Sequence, residues 1–176
     1  VVKTNTPNVT EARSVVLDLI LSNHHKDCLT CSRSGNCELQ SLAQKYNVQD
    51  IEFSGEIKDY EVDKVSPSII RDLNKCILCR RCVAACSNVQ NIGAIAVANR
   101  GFESHISTAG EKSLADVNCT NCGQCIQACP VGALREKETI DDVWLKLKDP
   151  DTYVVVQTAP AVRVALGEEF GMPIGT

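Results

Sequence analysis

The feature that most constrains this chain is a four-cysteine pattern that occurs twice. In each copy, two residues separate the first cysteine from the second and the second from the third, and three residues separate the third from the fourth. Pro130 directly follows the second copy. Every cysteine of the first copy recurs 43 positions later in the second: Cys76, Cys79, Cys82 and Cys86 become Cys119, Cys122, Cys125 and Cys129. Eight thiols at such tight, repeated spacings predict shared metal sites.

This spacing is similar to that of two-cluster bacterial ferredoxins, which hold a pair of 4Fe–4S clusters. In those proteins the fourth cysteine of each copy binds the cluster of the other copy. The resemblance therefore implies two crossed ligand sets. We call them the first paired site (Cys76, Cys79, Cys82 and Cys129) and the second paired site (Cys119, Cys122, Cys125 and Cys86).

Two other uses of cysteine, zinc binding and disulfide formation, fit this pattern less well than iron–sulfur ligation does. Zinc sites usually use two separated Cys-x-x-Cys pairs, whereas each copy here is a run of four. A disulfide framework would leave one of the eleven cysteines unpaired, and such frameworks belong to secreted proteins. The ligand spacing favours iron–sulfur clusters over both.

The three remaining cysteines, Cys28, Cys31 and Cys37, follow His24. With His24 the potential ligands number twelve, which is three complete sets of four and predicts a third cluster at what we call the His24 site. A neutral imidazole in place of a thiolate removes a negative charge, so this cluster is expected to have a raised potential, as in Rieske centres. The alternative is a solvent-exposed histidine pair beside structural thiols, and we assign that role to His25.

Composition limits the function classes. The chain has 176 residues and a net charge of −4, which gives no reason to expect nucleic acid or an anionic membrane as a partner. It shows no apolar run of membrane-spanning length and no export signal. A cysteine-rich chain without such a signal predicts a cytoplasmic location. Aromatic residues make up only 4%, so clusters are expected to act as cross-links in place of a large core. Both ends are expected to be cuts through a longer polypeptide.

Hydrophobic spacing predicts the elements around the His24 site. A helix is expected over residues 11–22, with Thr10 as its N-cap and Asn23 at its end. A second helix is expected to start after Cys37 and to end near Tyr46. Residues 50–67 predict an irregular connector whose charges face solvent.

Short elements are predicted around the paired sites. Residues 69–73 favour a short strand or turn, and residues 95–98 and 102–106 flank Asn99-Arg100-Gly101 as in a hairpin. The apolar residues 131–134 are expected to shield a cluster from water. Lys75, Arg80 and Arg81 form either a docking patch for an acidic partner or a solvated face, and the second interpretation is the simpler one.

The last forty residues predict a different kind of structure. A helix capped by Thr139 is expected to end at Pro150, with Trp144 as a packing anchor. Residues 153–158 favour a buried strand, and a helix with Pro160 in its first turn is expected to follow. A strand that leads into a helix is a typical opening of an α/β domain.

The order of motifs resembles one enzyme family. His24-x3-Cys28-x2-Cys31-x5-Cys37 followed by the two four-cysteine motifs is similar to the relay of iron-only (FeFe) hydrogenases and of the complex I large subunit. The segment from Gln157 to Gly171 resembles the opening of the hydrogenase catalytic domain and not the complex I chain.

This resemblance implies reversible oxidation of hydrogen at an H-cluster, a diiron site joined to a further 4Fe–4S cube. The family's H-cluster cysteines lie in motifs beyond Thr176, so no residue of this chain is assigned a catalytic role, and Ala161 is given no polar one. Related members carry an upstream 2Fe–2S domain. They commonly join flavin-containing and other iron–sulfur subunits in hetero-oligomeric NAD(P)-linked or electron-bifurcating complexes.

The expected fold class is α+β, with five parts. They are a linker (1–9), a His/Cys3 4Fe–4S domain (10–50), a connector (51–68), a two-cluster ferredoxin-like domain (69–150) and the strand–helix start of an α/β H-cluster domain (151–176). A stand-alone carrier or diaphorase subunit, and a zinc-stapled scaffold, remain alternatives. Which paired site lies nearer the active site stays open.

Overall fold

A computed structural model describes residues 2–173. They form two compact units, one ending at Lys137 and one beginning at Glu138. The first contains four helices and four strands: α1 Pro7–Ser22, α2 Glu38–Lys45, β1 Ile69–Arg71, α3 Arg81–Ala84, β2 Ala96–Ala98, β3 His105–Ser107, α4 Gln124–Ala128 and β4 Leu134–Glu136. The second contains α5 Ile140–Lys148 and α6 Pro160–Glu169. This is a mixture of helices and small sheets, as the sequence predicted.

Helix α1 begins one turn earlier than predicted. The Thr6 side chain, not that of Thr10, caps it by accepting a hydrogen bond from the Val9 amide at 3.4 Å. Pro7 occupies the first helical position, where its fixed φ suits the helix and its missing N–H costs nothing. The predicted end at Asn23 is confirmed.

The paired motifs lie between two small antiparallel sheets. Strand β1, before the first motif, pairs with β4, after the second, so that Ile70 faces Arg135. Strands β2 and β3 form the predicted hairpin between the motifs, with Val97 opposite Ile106. The fourth cysteine of each copy lies on or just after a short helix, and these two helices, α3 and α4, pack against each other. The sequence repeat is therefore also a repeat of structure.

The core of the first unit lies where the flanks of the two motifs meet. Ile69 and Val131 are each 2% exposed, and Ile95, Ile106 and Leu114 are nearly as deeply buried. Cys82 and Cys129 belong to the same apolar cluster. Two of the candidate metal ligands are therefore part of the hydrophobic core.

The connector before β1 is irregular, as predicted, but one of its charges is not solvated. Asp63 forms an isolated bridge with Arg71, with both backbone N···O distances at 2.9 Å. Burial opposes ionisation of Asp63, but hydrogen bonds from Ser113, Leu114 and Val65 and the charge of Arg71 outweigh it, so its pKa lies below the usual value. Asp63 therefore ties the connector to the core.

The second unit corrects two predictions. Residues 153–158 form no strand, and Tyr153 is 92% exposed. A strand needs a partner for its backbone groups, and no described residue supplies one. Trp144 is 57% exposed on α5, so it anchors no packing here. The helix after Pro160 is confirmed. None of the helices within residues 2–173 is long and apolar enough to cross a membrane.

Candidate metal centres

All four side chains predicted for the first paired site line one cavity. Cys76, Cys79, Cys82 and Cys129 surround it together with apolar residues that include Ile77, Ile95, Val131 and Leu134. Cys82 and Cys129 are buried, whereas Cys79 reaches the surface. Residues 131–134 are all buried, as expected of a segment that shields this space from water.

A second cavity is lined by Cys86 together with Cys119, Cys122 and Cys125, the four side chains predicted for the second paired site. Its other lining residues include Ile69, Ile92 and Leu114. Both cavities therefore contain one cysteine that comes from the other copy of the motif. Every cysteine within residues 2–173 is free of a disulfide.

The backbone turns in the same way in both copies. Leu78 and Arg80, on either side of Cys79, have φ values of 54° and 62°, and Asn121 and Gly123, on either side of Cys122, have 53° and 73°. Left-handed residues within a loop turn successive amides towards one side, which forms a concave site for anionic groups. The Leu78 amide already donates to the Cys76 sulfur at 3.4 Å.

The buried thiols hold their protons tightly when no metal is bound. Burial raises the pKa of Cys82 to about 12 and those of Cys76 and Cys125 to about 11, and neighbouring cysteines add to each shift. For Cys82 those neighbours are Cys76, Cys129 and Cys79. Metal binding at these sites must therefore displace protons, because the ligand form is the thiolate.

A third cavity brings together the four donors of the His24 site. His24, Cys28, Cys31 and Cys37 all line it. The His24 ring is 9% exposed, and its Nδ1 is buried without a hydrogen-bond partner within residues 2–173. Burial, reinforced by the nearby charge of Lys75, lowers its pKa, so the ring is neutral and can act as a ligand.

The three donor sets fit 4Fe–4S clusters by their chemistry. Two sets are entirely thiol and one contains a neutral imidazole, and both kinds of donor bind iron–sulfur clusters. Among the described residues, no three histidine, cysteine or carboxylate side chains converge closely enough to hold a single metal ion.

The three cavities lie in a row. Val131 lines both the His24 site and the first paired site, and Ile95 lines both paired sites. Arg33, from the His24 site, donates to the backbone carbonyl of Cys129 at 3.1 Å. The first paired site therefore occupies the middle position, an order that the sequence left open.

The basic residues of the first motif do not form one patch. Lys75 is 9% exposed and pairs with Asp27, and Arg81 pairs with Glu38 at 2.8 Å. Arg80 alone of the three has no described partner. The interpretation as a solvated face is wrong for Lys75, because burial beside a carboxylate replaces its water.

The sequence did not predict that Arg33, Asp27 and Arg71 line these cavities. A local signal existed for one pair: Asp27 directly precedes Cys28, and Lys75 directly precedes Cys76. Arg33, between Cys31 and Cys37, and Arg71, five positions before Cys76, carried no such signal, because the sequence does not show which way a charged side chain faces. His105 Nε2 lies 3.2 Å from Glu111 Oε1, and its ring centroid lies 5.8 Å from that of Tyr60 with the ring planes tilted by 39°.

Two family models match the chain where these cavities lie. An iron–sulfur binding region of NADH-ubiquinone oxidoreductase-G matches residues 13–52. A 4Fe–4S dicluster domain matches residues 75–133. The fold and these matches define the chain as an iron–sulfur protein that contains 4Fe–4S binding domains.

Comparison of the whole chain with known proteins finds more specific relatives among iron–sulfur proteins. The NADP-reducing hydrogenase subunit HndD of Solidesulfovibrio fructosivorans is 52% identical over all of this chain and 30% of its own length. Iron hydrogenase 1 of Clostridium pasteurianum is 38% identical over 99% of the chain and 31% of its own length. Both matches confirm the resemblance to hydrogenases seen in the sequence, and the chain spans about a third of the length of each of these relatives.

A solved structure shares the fold of about three quarters of the chain. The crystal structure of an NAD+-reducing [NiFe]-hydrogenase in its H2-reduced state has a TM-score of 0.70 and 29% identity. The match covers 76% of this chain and 57% of that one.

Proposed function

We propose that this chain is the electron-transfer portion of an iron-only hydrogenase. It would hold three 4Fe–4S clusters between an NAD(P)-linked flavin partner and the H-cluster. The observation that carries the proposal is the match to two hydrogenases over 99–100% of the chain. The three four-donor cavities support it, because they account for all eleven cysteines and His24.

The proposed ligands are the residues that line each cavity. They are His24, Cys28, Cys31 and Cys37 at the His24 site, Cys76, Cys79, Cys82 and Cys129 at the first paired site, and Cys86, Cys119, Cys122 and Cys125 at the second. When bound, each cluster supplies a site that accepts and returns one electron. The chain's own residues hold these sites in a row and keep water away from them.

Two features of the chain would make transfer directional. Neutral His24 leaves its site less negatively charged than an all-cysteine site, which favours an electron there. The first paired site lies between the other two, so the second paired site would be the one towards the catalytic domain. The His24 site would then face the upstream partner.

The wider protein would follow the domain plan given above. Residues 1–9 would join an upstream 2Fe–2S domain. The connector at 51–68 would lead into the ferredoxin-like domain at 69–150, and residues 151–176 would then begin the H-cluster domain. Partners would be flavin- and NAD(P)-binding and other iron–sulfur subunits of an electron-bifurcating complex in the cytoplasm. The catalytic residues would lie in motifs outside this chain.

A second candidate function is a stand-alone electron carrier or diaphorase subunit. The NADH-ubiquinone oxidoreductase-G match and the structure of the NAD+-reducing enzyme favour it. That structure matches only 76% of the chain, however, whereas the hydrogenase relatives match all of it.

The test is anaerobic purification of the natural polypeptide, followed by iron and sulfide analysis, EPR and a hydrogen-uptake assay. We expect three 4Fe–4S signals from this region and hydrogen-dependent reduction of an artificial dye. Clusters without hydrogen uptake or an H-cluster signal would support the carrier function instead. A colourless, zinc-containing protein would exclude both.

A further inference from the structure

Arg71 is a buried cation with unused hydrogen-bond donors. It lies at the end of β1, is 7% exposed and lines the first paired site. Its Nη2 lies 3.4 Å from Asp63 Oδ2 and donates to the Lys112 carbonyl at 3.3 Å. Its Nε and Nη1 are buried and have no partner among residues 2–173. A buried guanidinium with unpaired N–H groups is costly, so a further acceptor is expected beside it.

The surroundings of these two nitrogens limit what that acceptor is. The carboxylate of Asp63 and the Lys112 carbonyl are both reached by Nη2. The rest of the cavity wall consists of the four cysteines, apolar side chains and exposed Arg80. Among the side chains that line this cavity, only the cysteine sulfurs can accept a hydrogen bond.

The second paired site lacks such a residue. None of the described side chains that line it carries a charge. The two sites have the same ligand spacing and the same turns, but two cations line the first one, and of these Arg71 is buried whereas Arg80 is exposed.

We propose that Arg71 donates hydrogen bonds to sulfur atoms of the cluster at the first paired site and thereby raises its reduction potential above that of the second paired site. Hydrogen bonds to cluster sulfurs and a nearby positive charge both stabilise the reduced, more negative cluster. Arg71 would be a positioning and tuning residue, not a ligand. This inference rests on the proposed function, because it requires a 4Fe–4S cluster in that cavity.

The experiment is an EPR-monitored redox titration of the natural polypeptide, purified anaerobically, and of its R71Q and R71K variants. R71Q is expected to lower the reduction potential of the first paired site by about 59 mV. For one electron, this corresponds to a ratio of reduced to oxidised cluster that is about tenfold lower at a fixed applied potential. R71K, which keeps the charge but not the fork of donors, is expected to shift less.

Two controls make the shift specific. The second paired site provides an internal reference whose potential is expected to stay constant. R135Q removes a half-buried guanidinium from the neighbouring strand β4, and it is expected to move neither potential. An unchanged potential in R71Q, or equal shifts at both paired sites, would overturn the inference.

A measurement on the unmodified side chain covers the case in which R71Q does not fold. In protein labelled with 15N-arginine, in the R80K background, hyperfine spectroscopy of the reduced first paired site is expected to show an arginine nitrogen coupling that persists when Arg33, whose guanidinium donates to the Cys129 carbonyl, is also replaced by lysine. If the clusters are present but that coupling is absent, the inference about Arg71 is refuted and the proposed function is not. Absence of 4Fe–4S clusters from these cysteines would refute the proposed function as well.

Discussion

At the scale of single residues, His24 is the ligand candidate with the clearest chemical consequence. It is buried, its lowered pKa keeps it neutral, and its Nδ1 has no hydrogen-bond partner in the described part of the chain. The neighbouring His25 is only half-buried, and its Nε2 lies 3.2 Å from the Lys58 carbonyl oxygen and 3.4 Å from Asp59 Oδ1. Adjacent histidines therefore have different environments.

We predict that His24→Cys retains a cluster at the His24 site but lowers its potential by on the order of 100 mV, because a thiolate adds a negative charge. Redox titration followed by EPR measures this directly. His25→Gln is the matched control and is expected to leave the potential unchanged. A His24→Cys protein with wild-type potential and spectrum would remove His24 from the ligands.

At the scale of elements, the repeated turns around Cys79 and Cys122 show what spacing alone cannot show. Leu78 and Arg80 adopt the left-handed conformation although both carry side chains, and their counterparts are Asn121 and Gly123. Only the second copy has residue types that typically adopt this conformation. The first copy must therefore be held there by its surroundings.

We predict that Gly123→Ala destabilises the protein by about 1 kcal/mol, since a left-handed φ of 73° opposes a Cβ even though no atom lies within 4 Å of it. Loss of visible absorption during heating would report a lower unfolding temperature, by roughly 2–4 °C. Gly167→Ala, in α6, has equal space and no left-handed φ. It is expected not to lower that temperature, and an equal loss in both variants would contradict the argument.

At the scale of the whole first unit, the arrangement of the three cavities depends on close contacts between distant parts of the chain. A Cβ on Gly132 would lie 3.1 Å from the Cys31 sulfur and 3.4 Å from Arg33 Cγ. Gly132 therefore lets the loop of the His24 site approach the segment that follows Cys129. The ion pair between Lys75 and Asp27 joins the loop of the His24 site to the start of the first four-cysteine motif.

We predict that Gly132→Ala forces these regions apart at a cost of roughly 1–3 kcal/mol. Cluster occupancy at the His24 site, and electron transfer between it and the first paired site, are expected to fall. EPR quantification and freeze-quench kinetics measure the two effects. The second paired site serves as the reference, and equal losses at all three sites would indicate general unfolding.

The sequence by itself determined the donors and much of the local structure. The resemblance of the repeated motif to two-cluster ferredoxins predicted which cysteines share a site, and the structure brings those same sets into common cavities, although their role as ligands stays a prediction. Helix α2, the β2–β3 hairpin and the end of α1 were also predicted, because ligand spacing, turn residues and hydrophobic periodicity are local properties. Residues 153–158 were predicted wrongly, because β propensity makes no strand without a partner.

Only the tertiary structure decided how the sites are ordered and what surrounds them. Val131 and Ile95 separate neighbouring cavities, and Arg71 and Lys75 are buried against two of them. The sequence does not reveal the burial of these two cations, because charged residues are mostly exposed and only the packing of the folded chain removes their water. Ligand identity depends on spacing along the chain, whereas charge and dielectric around a ligand depend on residues that folding brings from elsewhere.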